Sequence, residues 1–159
     1  MTNAENHRIT VEPGTPEVVL SWTFEAPRQL VFHAYTDPQM IVNWWGPREL
    51  TTTIERLEAK SGGGWHFIQR DPVGNVHAFH GIFHEVTPPR RIVRTFEYEG
   101  APGKVVLETV TFEERDGRTT LTTHSLFQSV ADRDQMVGAG MERGVLESME
   151  RLTQLMVRV

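Results

Sequence analysis

The chain has 159 residues, no cysteine and a formal net charge of −5. The length suits one domain and excludes a TIM barrel or a two-domain dehydrogenase. The absence of cysteine excludes disulfides, a thiolate nucleophile and a cysteine zinc site, and the mild acidity argues against nucleic-acid binding, which takes clustered Lys and Arg.

Residues 1–10, MTNAENHRIT, lack the basic start and apolar stretch of a signal peptide. No run approaches the roughly 18 apolar residues of a membrane helix. A cytoplasmic protein without membrane association is expected. Residues 1–14 end in Pro13-Gly14 and read as a flexible arm, with a single domain over 15–159.

Leu20, Trp22 and Phe24 alternate with polar neighbours, which predicts a strand. From Arg28, the residues Leu30, Val31, Ala34 and Tyr35 fall at helical spacing. Asp37-Pro38 has the pattern of an N-cap followed by proline at the first helical position, so a second short helix is expected to about Trp44, stopped by Gly46-Pro47. Strand-like runs follow at 50–58, 65–68, 76–86, 91–98, 104–114 and 118–127. Arg115-Asp116-Gly117 joins the last two, and Asp-Gly between alternating runs signals a hairpin. Short runs joined by tight turns imply an antiparallel sheet.

From Ala131 the period changes. Met136, Val137, Met141, Val145, Met149, Leu152 and Met156 recur every three or four residues. They predict one amphipathic helix of about 25 residues, about 37 Å long at 1.5 Å per residue. The fold class is therefore α+β: a helix-grip arrangement in which a curved antiparallel sheet of six to seven strands wraps a long C-terminal helix, with two short helices after the first strand. A curved sheet and a straight helix cannot touch everywhere, and the gap between them suits a small ligand.

Alternation places Trp65 with Phe67, Phe79 with Gly81 and Phe83, and Val110 and Phe112 with Glu108 on the helix-facing side, with Thr123 on the last strand. These side chains read either as plain core or as a ligand box. Gly81, bare between two phenylalanines, is expected to leave room. Gly138, Gly140 and Gly144 interrupt the predicted helix, each costing about 1 kcal/mol relative to alanine. They mark close packing, a frayed start, or a cavity wall shared with Met136 and Met141. Trp44 and Trp45 are expected near one mouth, as a stacking gate or, for one of them, a plug of the core.

Catalytic constellations are sparse. G-x-S-x-G, H-E-x-x-H and a complete phosphate loop are missing, and no metal site or cofactor is expected. His80 and His84 share a strand face turned toward solvent, and His77 points the other way. Glu108 is the best candidate acid or base, since Glu85, near a strand end before Pro88, reads as a capping or turn residue. It reads as a buried carboxylate of raised pKa or as the partner of a neighbour such as Arg94.

Read together, Asp37-Pro38, Asn43-Trp44-Trp45-Gly46-Pro47, Gly63-Gly64-Trp65-His66-Phe67, the run from Phe79 to Val93, Glu108-Thr109-Val110-Thr111-Phe112 and the stretch from Asp132 to Glu142 with Glu147-Ser148 form a pattern. It resembles the START-like (SRPBCC) superfamily, in particular the subgroup named after the activator of a heat-shock chaperone's ATPase. The resemblance covers about residues 17–157. It implies the helix-grip fold, shared with birch-pollen-allergen-like proteins, and a deep, mostly apolar cavity.

Relatives of this kind include lipid and hormone carriers, aromatase/cyclases and chaperone-binding domains. The expected function is binding of a small hydrophobic or aromatic ligand. A cyclase-type enzyme using polar groups in the same cavity and a stress-response module with a chaperone partner are the alternatives. The length leaves no room for the separate chaperone-docking domain of the eukaryotic activators, which disfavours the last. The chain is expected as a monomer or homodimer.

Overall fold

In the computed structural model, which describes residues 7–158, side-chain alternation builds one eight-stranded antiparallel sheet. Its strands are β1 (His7–Thr10), β2 (Glu17–Phe24), β3 (Thr51–Leu57), β4 (Gly64–Arg70), β5 (Val76–Thr87), β6 (Arg91–Tyr98), β7 (Val105–Arg115) and β8 (Arg118–Leu126). The order across the sheet is β1-β2-β8-β7-β6-β5-β4-β3. From β3 to β8 the chain meanders, each strand pairing with the next. β2 then closes onto β8, and β1 and β3 form the edges.

The strands bury alternate residues as their sequences require. Val18, Leu20, Trp22 and Phe24 of β2 are buried, and so are Ile92 and Arg94 of β6 and Val106, Val110 and Phe112 of β7. Asp116 and Gly117 take φ of 54° and 76° between the paired Arg115 and Arg118. That is the left-handed backbone a two-residue hairpin demands.

The first strand departs from expectation. His7–Thr10 pairs with Val19–Trp22 instead of belonging to a loose arm, and it raises the strand count to eight. His7 stacks on Trp22 with centroids 3.9 Å apart, and Ile9 packs on the core. The remainder of the expected arm, residues 1–6, lies outside the described residues.

The helices are α1 (Arg28–Thr36), α2 (Pro38–Ile41), α3 (Val130–Gly138) and α4 (Met141–Arg158). Asp37 caps α2 by accepting the Gln39 N–H at 2.9 Å. The C-terminal segment is two helices, not one. Ser129 caps the first by accepting the Asp132 N–H at 3.0 Å. Gly140, at φ +94°, turns the chain before α4 begins. That conformation is strained for any residue with a Cβ, and glycine adopts it freely.

The break has a consequence for the core. The main cluster joins the sheet to α1, α2 and the C-terminal half of α4 through Leu20, Trp22, Leu121, Met149, Leu152 and Met156. A second cluster gathers Val18, Val106 and Phe127 with Met136 and Val137 of α3 and Met141, the first residue of α4, so it straddles the break. The buried members of the two clusters stay separate, and the partly buried Ile9 and Phe96 pack against both.

Candidate functional site

A cavity of about 430 Å³ occupies the space between the two clusters. Its floor is the sheet, with Leu20, Phe79, Phe96, Val106, Val110 and Thr123 facing in. Its roof is the α3–α4 junction, with Met136, Gly140, Met141, Gly144, Val145 and Met149. Trp44, Trp45, Pro47 and Leu50 form one side.

Eight of the residues singled out from the sequence for ligand contact come together here: Trp44, Trp45, Phe79, Thr123, Met136, Gly140, Met141 and Gly144. The catalytic candidate Glu108 lines the same space. The two tryptophans have different environments. Trp44 is buried against Tyr35, with centroids 4.7 Å apart, and donates its indole N–H to the Ala34 carbonyl at 3.0 Å. Trp45 is partly exposed and lies edge-on to Phe67 and Phe79, both at 5.1 Å.

Five others do not line the cavity. Trp65, Phe67, Phe83 and Phe112 face the helix side as expected, but neighbouring side chains cover them completely. Phe112, for example, meets Phe32 at 5.1 Å and Tyr35 at 5.4 Å. Gly81 leaves no room. A Cβ there would fall 1.9 Å from the Thr95 carbonyl oxygen and 2.5 Å from Trp65 Nε1. Its bareness admits the Trp65 indole, which donates to that same carbonyl at 3.0 Å. Gly144 is the opposite case, since its added Cβ would meet only Pro47 Cγ, at 3.9 Å.

The loop that carries the tryptophans is clamped to α4. The Gly46 N–H donates to Ser148 Oγ at 2.8 Å, and the Arg48 N–H donates to Glu147 Oε1 at 3.1 Å. Arg151 Nη1 donates to the Gly46 carbonyl at 2.8 Å. Every one of these contacts joins residues about a hundred positions apart in sequence, beyond the reach of periodicity arguments.

A set of polar groups sits within the apolar lining. Arg94 and Glu108 are directly opposed on β6 and β7, and Arg94 Nε donates to Glu108 Oε1 at 3.1 Å. The Arg94 side chain is only 7% exposed. Its guanidinium carbon lies 5.0 Å from the centre of the Trp65 ring, a cation–π distance. Tyr35 reaches in from α1 toward Thr123. Burial raises its phenol well above the ordinary range, with Arg94 opposing the shift and Glu108 adding to it. At the far end, His77 Nδ1 lies 3.0 Å from the Tyr98 hydroxyl, and buried Gln69 donates to the Trp45 carbonyl at 3.4 Å.

Arg94, Tyr35, Gln69, His77 and Tyr98 were not singled out as site residues. Arg94 carried a usable signal, a charge alternating with Ile92 and Phe96 on an inward face. Outside the cavity, His66 and His80 of the outer face lie 3.0 Å and 2.9 Å from Glu99 Oε2. Among the described residues no group of three or more metal-ligating side chains is assembled, and no helix is long and apolar enough to cross a membrane.

Comparisons with known proteins agree with this fold. A family model described as "Activator of Hsp90 ATPase homolog 1-like protein" matches residues 25–157. No curated protein matches the chain. Among solved structures, a protein from Arthrobacter aurescens is similar with a TM-score of 0.88 at 24% identity, covering 96% of this chain and 92% of that one. A Rhodobacter sphaeroides protein gives 0.87 at 21% identity, covering 96% and 100%. Protein Ms6760 from Mycobacterium smegmatis gives 0.85 at 21% identity, covering 93% and 94%. At these identities the likeness speaks for the fold.

Proposed function

The chain belongs to the Activator of Hsp90 ATPase homolog 1-like family, and from that premise we propose that it binds a small hydrophobic or aromatic ligand in the cavity under α4. The observation that carries the reading is the cavity itself: about 430 Å³, roofed by methionines and by two glycines that project nothing into it. Pockets for small ligands run from roughly 300 to 1,000 Å³ and combine apolar walls with a few placed polar groups. Affinity would come from buried apolar area, at about 25 cal/mol per Å² before ordering costs.

This reading ranks above the other two. A cyclase-type enzyme needs a free acid or base facing its substrate. Here the Glu108 carboxylate is engaged by Arg94, burial holds the Tyr35 phenol in its neutral form, and the His77 ring is engaged by the Tyr98 hydroxyl. These groups suit binding better than proton transfer. A chaperone-directed role would require a docking surface, and family membership alone does not supply one.

The test exploits Gly144. A larger side chain there has open space before it and sits in the first turn and a half of α4. Gly144→Leu should raise the melting temperature of the free protein, since leucine is favoured over glycine in a helix by about 0.8 kcal/mol. It should also fill the roof of the cavity. In a thermal-shift panel of hydrophobic and aromatic compounds, wild type should be stabilised by some members. The variant should start higher and lose those shifts. A panel that stabilises neither protein, or both equally, contradicts the reading.

A further inference from the structure

Arg94 is more than the partner of Glu108. A guanidinium carries five N–H donors, and the one on Nε is taken by Glu108 Oε1 at 3.1 Å. Among the described residues, neither terminal nitrogen of Arg94 makes a hydrogen bond, although the side chain is 93% buried and borders the cavity. The group cannot swing away to find other acceptors. Glu108 holds its Nε edge, and the Trp65 ring lies against it at 5.0 Å. Trp65 is itself fixed by its hydrogen bond to the Thr95 carbonyl and by the bare Gly81 beneath it. Those terminal nitrogens are not sealed by protein atoms, so an acceptor entering the cavity can reach them.

On the reading that the cavity is a ligand site, we propose that Arg94 is its specificity-determining residue. Its terminal N–H groups take a neutral oxygen acceptor, such as a ketone carbonyl, on an otherwise apolar ligand. The charge balance decides for a neutral acceptor over a carboxylate. Arg94 and Glu108 already cancel, so an entering anion would bring an uncompensated charge beside the Glu108 carboxylate. A carbonyl oxygen accepts from the arginine without adding charge to a low-dielectric space. The rest of the molecule would lie on Val110 and Phe96 below and on Met149 above.

The experiment uses three probes with one apolar body: 2-ethylanthracene, 2-acetylanthracene and anthracene-2-carboxylate. Their affinities are measured by fluorescence for wild type and for Arg94→Met/Glu108→Gln. The double change avoids leaving a lone buried carboxylate. In wild type the ketone should bind about tenfold more tightly than the hydrocarbon, and the carboxylate less tightly than the ketone. In the double variant the ketone's advantage should vanish while the hydrocarbon's affinity is kept.

Equal wild-type affinities for ketone and hydrocarbon would overturn the role of Arg94 and leave the ligand-binding reading standing. A carboxylate that binds most tightly would overturn the neutral acceptor. A ketone preference that survives in the double variant would place recognition elsewhere. If none of the three binds wild type, the ligand-binding reading falls as well. Should the double variant fail to fold, the ranking of the three probes on wild type still decides for or against a neutral acceptor.

Discussion

The chemistry of individual side chains depends on what strand register and helix packing bring beside them. Glu108 reads from the sequence as either a buried acid or a paired carboxylate, and the directly opposed Arg94 makes it the latter. Gly81 shows the limit of reading one residue at a time. Alternation placed it correctly on the inward face, but only its neighbours reveal that the Trp65 indole takes up the space. Tyr35 shows the same limit, because nothing in its helical spacing announces that its hydroxyl ends among Arg94, Glu108 and Thr123.

Burial of Tyr35 has a measurable effect. Its folded pKa is raised, chiefly by desolvation, so its contribution to stability is fully present below the unfolded value of about 10, starts to be lost as pH rises above it, and goes on falling up to the raised folded value. Unfolding free energy measured from pH 8 to 11 should fall more steeply for wild type than for Tyr35→Phe. Equal slopes would show that the phenol is not buried as described.

At the scale of elements, hydrophobic periodicity located most of the strands and the helical segments within a residue or two. It failed where backbone conformation, not side-chain pattern, decides. The methionines keep their spacing straight through residues 138–140, so they predict one helix, while Gly140 at φ +94° divides it. The same blindness hid the clamp between α4 and the tryptophan loop, whose partners are distant in sequence. Periodicity also passed over Arg133, which is buried and ties α3 to the Glu12 and Glu17 carbonyls at 2.9 and 3.0 Å.

The clamp predicts a pH response. Glu147 accepts the Arg48 N–H and the Arg143 side chain, the first being the larger cause, and together they hold its carboxyl below the usual glutamate range. A depressed folded pKa means the contribution is present above the unfolded value of about 4.3 and is lost as pH falls through the lower folded value. The Arg48 amide resonance should therefore titrate with a midpoint below about 4.3. In Glu147→Gln that titration should disappear. A midpoint at or above the ordinary value would mean that the loop is not held this way.

At the scale of the whole molecule, the fold class was legible because one alternating block followed by one amphipathic block leaves few ways to cover a sheet. The cavity was legible only as a geometric consequence of that pairing. Its location depends on how the C-terminal segment divides. The residues flanking the break, Met136 and Met141, join the cluster of Val18, Val106 and Phe127, and the body of α4 carries Met149 and Leu152 into the main core. The space between the clusters is where the account puts its function.

The most direct measurement is a set of NMR contacts between a bound probe, 2-acetylanthracene, and the methyl groups of the protein. The account predicts nuclear Overhauser effects from the probe to Met136, Met141, Val145, Met149 and Val110, which line the cavity. Contacts confined to the exposed Ile82, Leu107 and Leu126 would place the ligand on the outer face and contradict it.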